Sequence, residues 1–262
     1  MTMTAHIDCH LDGHLATLTL NNPVKLNAVN ASMWQQLAAA MNHIEKQAEI
    51  RCVILRGAGN EAFAAGGDIE EFRTVRATID DALHYHEELV ATALNAIRNC
   101  SRPTIAAIRG ACIGGGLEIA GCCDLRIAGA SARFGAPIKQ LGFSMYPGEM
   151  AGLLALAGPA VVLEILLEGR ILSADEALQK GLLTRVVADD TVFDEAAAAA
   201  ERICAGAPLV ARWHKQWVRR LQDPTPLSAA ERRRAFDFLA TEDYAEGLAA
   251  FSAKRKPRFR GR

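Results

Sequence analysis

The stretch Ile105-Ala-Ala-Ile-Arg-Gly-Ala-Cys-Ile-Gly-Gly-Gly-Leu-Glu-Ile-Ala-Gly121 decides how the rest of the chain is read. It opens as a short apolar run, passes Gly110 and reaches three consecutive glycines, Gly114 to Gly116. Leu117-Glu-Ile-Ala120 follows, a good helix former with one carboxylate, Glu118, in its first turn. The pattern predicts a strand, a tight turn and a helix N-terminus. Glycines lack a Cβ, so a ligand can approach the main chain closely. The free N–H groups of the first helical turn, with the helix dipole behind them, point at that ligand. Such a place suits a phosphate, or an oxygen that becomes negative during a reaction.

A second stretch repeats the plan earlier in the chain. Cys52-Val-Ile-Leu-Arg-Gly57 reads as a strand, and Ala58-Gly-Asn-Glu-Ala-Phe-Ala-Ala-Gly-Gly-Asp-Ile69 is again a glycine-rich loop that runs into an acid. Either loop alone is compatible with an ordinary βα turn. Together they can aim two backbone donors at one oxygen, and they point to a site.

A chain of 262 residues is long enough to bury a sizeable core. Half of it is hydrophobic, aromatics are few, and the formal net charge of −1 argues against nucleic acid as a partner. Met1-Thr-Met-Thr-Ala-His-Ile-Asp8 has no basic region followed by an apolar run, so no secretory leader is expected. No uninterrupted apolar segment approaches the roughly 20 residues of a membrane span. Seven cysteines without a Cys-x-x-Cys pair indicate neither a disulfide framework nor a zinc site. A reduced, cytoplasmic protein without a membrane partner is expected.

In chain order, His14 to Leu20 alternates like a half-buried strand, and a polar turn containing Pro23 follows. Met33, Leu37, Met41 and Ile44 recur at helical spacing from Asn30 onward. Between Glu70 and Cys100 the pattern is polar and helical, with Leu83, Leu89, Ala93 and Ile97 predicted to face inward. His84 and His86, two apart on this passage, are expected at the surface. Further short strands are read at Cys123–Gly129, Ser131–Gly135 and Leu182–Val187. Helices are read at Gly148–Ala157, Val161–Leu167 and, opened by the capping box Ser173/Glu176, Ala177–Lys180. After Thr191 only helices are predicted, punctuated by Pro208, Pro224 and Pro226. The chain thus divides into an α/β part, residues 1–190, and a helical part, residues 191–262, which ends in the basic tail Lys254-Arg-Lys-Pro-Arg-Phe-Arg-Gly-Arg262.

Seven ordered pieces resemble the crotonase (enoyl-CoA hydratase/isomerase) superfamily. They are Asn22–Ala28, Phe63–Ile69, Gly110–Glu118, Cys123–Ile127, Phe134–Pro137, Gly169–Ala177 and Gly247–Pro257. The resemblance implies a crotonase-type spiral of ββα turns, with C-terminal helices that build a homotrimer, commonly paired into a hexamer. It implies an acyl-CoA thioester as substrate and no separate cofactor or metal, coenzyme A being part of the substrate. By motif position the backbone N–H groups of Ala65 and Gly115, with Gly114 beside them, are expected to bind the thioester oxygen. Contacts to coenzyme A carry over to Val24, Lys25 and Leu26, and to Ala64, Gly66, Gly67, Asp68 and Ile69. Phe251 and Lys254 match tail positions that meet the adenine and phosphates, often from a neighbouring subunit. Asp68 is read first as the cap of the helix after it.

The family's hydratases use two glutamates, which hold a water and trade its proton. Glu118 matches the first; the second position is Ile138, which can carry no proton. Tyr146 falls where some isomerases have an aspartate, and Glu149 is the acid near enough in sequence to restore a pair. Hydratase or isomerase chemistry is therefore expected first. Decarboxylation of a malonyl- or methylmalonyl-type CoA is the alternative, and a non-catalytic CoA- or RNA-binding homologue comes last. A dinucleotide-binding reading of Gly57-Ala-Gly-Asn-Glu-Ala62 fails, because another glycine loop interrupts where a helix is needed.

Overall fold

The computed structural model describes residues 4–262; the first three residues of the stretch read as free of a leader lie outside the described residues. In chain order the strands begin with β1 His6–Asp12, β2 Leu15–Asn21, β3 Cys52–Gly57, β4 Ala62–Ala64 and β5 Thr104–Ile108. They continue with β6 Ala111–Ile113, β7 Leu125–Gly129, β8 Arg133–Gly135, β9 Leu172–Ser173 and β10 Arg185–Val187. Six of them form the main sheet in the order β1-β2-β3-β5-β7-β10. Within it only the β1/β2 pair is antiparallel; the others run parallel in registers such as Leu15↔Cys52, Val53↔Thr104 and Ile105↔Leu125. A second sheet of four short strands stands beside it in the order β4-β6-β8-β9. Three times the chain lays one strand in the first sheet and the next in the second, which winds it into a spiral. These are β3/β4, β5/β6 and β7/β8.

Both faces of the main sheet are covered, so its central strands are apolar without alternation. Val53, Leu55, Ala106 and Ile108 share a core with Met33, Trp34, Leu37 and Met41 of the helix Ala31–Glu45. Cys52, Ile54, Ile105, Ala107 and Ile127 point the other way, onto Val192, Ala196, Ala199 and Ala200 of the helix Val192–Cys204. All strands lie before Ala188, and the elements from Asp189 onward are helical.

β1, β4 and β6 were not expected from the sequence. The last two span three residues each and show no period. They nevertheless position the site, because parallel pairing of Ala62 with Ala111 and of Ala64 with Cys112 lays the two glycine loops side by side. The corner between β5 and β6 requires glycine at 110: φ is +60°, and a Cβ would lie 1.8 Å from the Glu61 carbonyl oxygen. Asn27 clamps the first loop from below, itself left-handed at φ +58°. Its Nδ2 donates to Ala58 O at 2.9 Å and Ala62 O at 2.8 Å, and its Oδ1 accepts from Asn22 N at 3.0 Å. Asn27→Ala is expected to lower stability by about 2–4 kcal/mol, from stranded buried carbonyls and a strained φ, as read by denaturant unfolding.

Between Glu70 and Cys100 the structure corrects the expected facing. Leu83 is exposed, whereas Tyr85 and His86 are buried. The cause is a π-helical segment, His84–Val90, whose wider turn rotates the following residues relative to an α-helix. Pro147–Glu168 is a helical passage long and apolar enough, by length and composition, to cross a membrane. Its apolar run is interrupted in sequence by Glu164, and its backbone breaks at Gly158 (φ 74°, ψ 170°), ahead of Pro159.

Candidate active site

The two glycine loops form one wall of a cavity of about 150 Å³. The loops nearly touch: a Cβ on Gly115 would lie 3.5 Å from Gly67 N and 3.1 Å from Trp34 Cζ2. Behind them the helix Gly115–Cys122 packs so tightly on β4 that a Cβ on Gly116 would lie 2.4 Å from Ala64 O. The triple glycine therefore serves close backbone approach as well as the turn.

The expectation that Ala65 offers its N–H to a substrate oxygen is corrected. That N–H donates to Leu26 O at 2.9 Å, tying the glycine loop to the Val24–Leu26 turn. Two residues on, Gly67 pairs with Val29 in a parallel bridge whose hydrogen bonds use Gly66 O and Asp68 N. The Gly67 N–H thus has no acceptor among the described residues. Gly115, first residue of its helix, likewise has no intrahelical acceptor for its N–H. Both glycines line the cavity.

Glu118 is buried and lines the same cavity, and Glu149 joins it from the first turn of the helix Pro147–Leu163. Ile138 lines the same cavity and brings no carboxylate to it; the second carboxylate there is Glu149. Burial pushes the Glu118 carboxyl well above the usual range, the Glu149 charge adds to this, and Arg76 opposes it. Glu149 Oε1 stands 2.5 Å from His86 Nδ1, a contact that requires the ring to donate from Nδ1 when Glu149 is ionised. His86 is thus no surface residue. Its ring stacks on Tyr146, centroids 5.2 Å apart, and meets Tyr85 edge-on at 5.1 Å. Nothing in its spacing marks it; only the π-helical turn brings it inward. His84, by contrast, is exposed and pairs with Glu88 at 2.8 Å. The Tyr146 hydroxyl donates to Glu87, so that donor is committed, and its ring lies against His86.

The raised Glu118 pKa has a consequence for stability. Its folded value lies above the ordinary 4.5, so the stability contributed by the protonated form is full below about 4.5 and is lost as pH rises toward the folded value. Glu118→Gln has no such loss. Its advantage in thermal unfolding over wild type is expected to be nil near pH 4.5 and to grow above it, by at most about 1.4 kcal/mol per pH unit.

The remaining expected residues divide in two. At the mouth, Ile69 lines the cavity, while Val24 and Leu26 stand exposed on the adjoining turn. Asp68 caps its short helix by accepting from Glu70 N at 3.2 Å, and it also holds Lys25 Nζ at 2.7 Å. Lys25 is shared with Glu70, again at 2.7 Å. Ala64 is buried in β4 beneath the loop. Phe251 and Lys254 do not line the cavity of their own chain; both are exposed at the end of the helix Glu242–Ser252. The basic tail folds back on that helix, with Arg255 paired to Glu246 at 2.6 Å and Arg262 to Glu242 at 2.8 Å.

A spiral of paired sheets thus brings two adjoining backbone N–H donors and two buried acids to one cavity. Comparison with known proteins names the family. Residues 11–262 match the family model for enoyl-CoA hydratase/isomerase. A probable enoyl-CoA hydratase of Rhizobium meliloti is 36% identical over 255 residues, 95% of this chain and 96% of that protein. A short-chain-enoyl-CoA hydratase of Clostridium acetobutylicum is 33% identical over 247 residues, 94% of each. The crystal structure of an enoyl-CoA hydratase/carnithine racemase from Magnetospirillum magneticum superposes with a TM-score of 0.95 at 52% identity. That match covers 98% of this chain and 96% of the other. The chain belongs to the enoyl-CoA hydratase/isomerase family of the crotonase superfamily.

Proposed function

We propose that the protein hydrates the double bond of a short enoyl-CoA, with Glu118 and Glu149 as its acid–base pair. The observation that carries this reading is the burial of both acids in one cavity beside the free N–H groups of Gly67 and Gly115. Water attacks the β carbon while Glu149, oriented by His86, takes the proton it sheds. The π electrons move to the thioester oxygen, and the enolate so formed rests between the Gly67 and Gly115 N–H groups. Glu118, whose protonated form is favoured by burial and by the Glu149 charge, gives its proton to the α carbon. One water has then been added, and solvent restores both acids. Run without water, the same pair shifts a double bond.

Decarboxylation of a malonyl-type CoA needs the oxyanion donors but no second acid, and the buried Glu149 favours hydration over it. Incubation with crotonyl-CoA and, separately, methylmalonyl-CoA, with products followed by mass, tests the choice. Gain of one water on crotonyl-CoA is expected; loss of carbon dioxide from methylmalonyl-CoA with crotonyl-CoA untouched would overturn it.

The exposed apolar residues at the mouth, Val24, Leu26 and Ile69, suit the pantetheine arm. Exposed Leu154, Leu163 and Leu167, with Val218, Phe236 and Leu248 on the C-terminal helices, support assembly into a homotrimer or a pair of trimers. In such an assembly Phe251 and Lys254 can reach a neighbour's coenzyme A.

A further inference from the structure

One charged group in the cavity has no part in hydration. Arg76 ends the short helix Phe72–Val75, and its guanidinium carbon lies 3.6 Å from the Phe72 ring centroid, 4.7 Å from that of Phe143 and 5.3 Å from that of Tyr85. Its Nε is the sole buried side-chain nitrogen or oxygen without a hydrogen-bond partner among the described residues. Arg76 forms no ion pair there either: the Glu149 carboxylate is taken by His86, and Glu118 and Glu149 reach Arg76 only through space. A half-buried guanidinium whose buried Nε lacks an acceptor is costly as it stands, and the cost is relieved when an acceptor oxygen arrives. Its planar fork suits the two oxygens of a carboxylate.

We propose that Arg76 is the specificity residue for an acyl group that bears its own carboxylate, so that the substrate is the CoA thioester of a short unsaturated dicarboxylic acid. This rests on the hydratase reading above and deepens it. Position supports it. A Cβ on Gly67 would lie 3.2 Å from Phe72 Cζ, and Arg76 covers a face of that same ring. The guanidinium therefore sits about one aromatic ring away from the oxyanion donors. The cavity of about 150 Å³ has room for roughly five water-sized groups, which limits the chain between thioester and carboxylate to a few atoms. The two resident acids do not bar a third. Burial favours the neutral form of Glu118, and Glu149 is bonded to His86. An acyl group with a fixed cation is disfavoured, because Arg76 already occupies the aromatic surface that would receive it.

The test compares kcat/KM for glutaconyl-CoA, a five-carbon enoyl-CoA ending in a carboxylate, with that for crotonyl-CoA. Wild type is expected to prefer glutaconyl-CoA by about tenfold or more. Arg76→Met is expected to lower the glutaconyl-to-crotonyl ratio at least tenfold, chiefly through KM, with Arg76→Lys in between. Equal use of the two esters by wild type, or a preference for crotonyl-CoA, overturns the assignment while leaving hydration intact. An equal loss on both esters in Arg76→Met also overturns it, and reduces Arg76 to a counter-charge for Glu118 and Glu149. Hydration of neither ester by wild type removes the hydratase reading and this one with it.

Discussion

Glu118→Gln is expected to slow hydration of crotonyl-CoA by about 10²–10⁴-fold, the range for loss of a positioned acid or base. The amide keeps the shape of the side chain in its buried site but has no proton to give the α carbon. The loss should fall on kcat more than on KM, because the group acts on the reacting atoms and not on coenzyme A. The variant should fold at least as well as wild type at neutral pH, since it removes a carboxyl held far from its ordinary titration range. Steady-state kinetics beside thermal unfolding separates the two effects. Undiminished turnover would remove Glu118 from the chemistry.

Glu149→Gln is expected to cost a similar factor, about 10²–10⁴-fold in kcat, for the other half of the proton traffic. The amide oxygen still accepts from His86 Nδ1, so the 2.5 Å contact that aligns the pair loses its charge and keeps its geometry. A change confined to KM would mean that Glu149 only shapes the cavity. Because the two acids serve one event, the double variant should be little slower than the slower single variant, with well under the sum of the two barriers. Additive losses would mean that they act in separate steps.

Much of the site can be read along the chain because its key parts are local. The Gly114–Glu118 run sets the turn, the helix start and the acid together, and no distant contact is needed to see it. The gap at Ile138 is equally plain, and the nearness of Glu149 in sequence offers the replacement. What sequence does not carry is which groups other groups consume. Ala65 and Gly67 sit in the same loop, and only the Leu26 carbonyl, folded over from the preceding turn, distinguishes the occupied N–H from the open one. His86 is hidden for a related reason: one π-helical segment exchanges the expected inward Leu83 for Tyr85 and His86. The short strands β4 and β6 leave no pattern of their own, yet their pairing is what makes two ordinary glycine loops into one site. The basic tail, whose charges suggest phosphate in isolation, has Arg255 and Arg262 bonded to Glu246 and Glu242 in the folded chain.

The central claim is that this cavity stabilises a thioester enolate and moves its α proton through Glu118. The most direct measurement is incubation of wild type and Glu118→Gln with butyryl-CoA in D2O, followed by mass analysis of the acyl group. This ester cannot be hydrated, so deuterium uptake at the α carbon reports enolate formation alone: the ionised fraction of Glu118 takes the α proton, exchanges it with solvent and returns deuterium. Uptake by wild type and its near-complete loss in Glu118→Gln is the predicted result. No uptake by wild type, or equal uptake by the variant, would contradict the account.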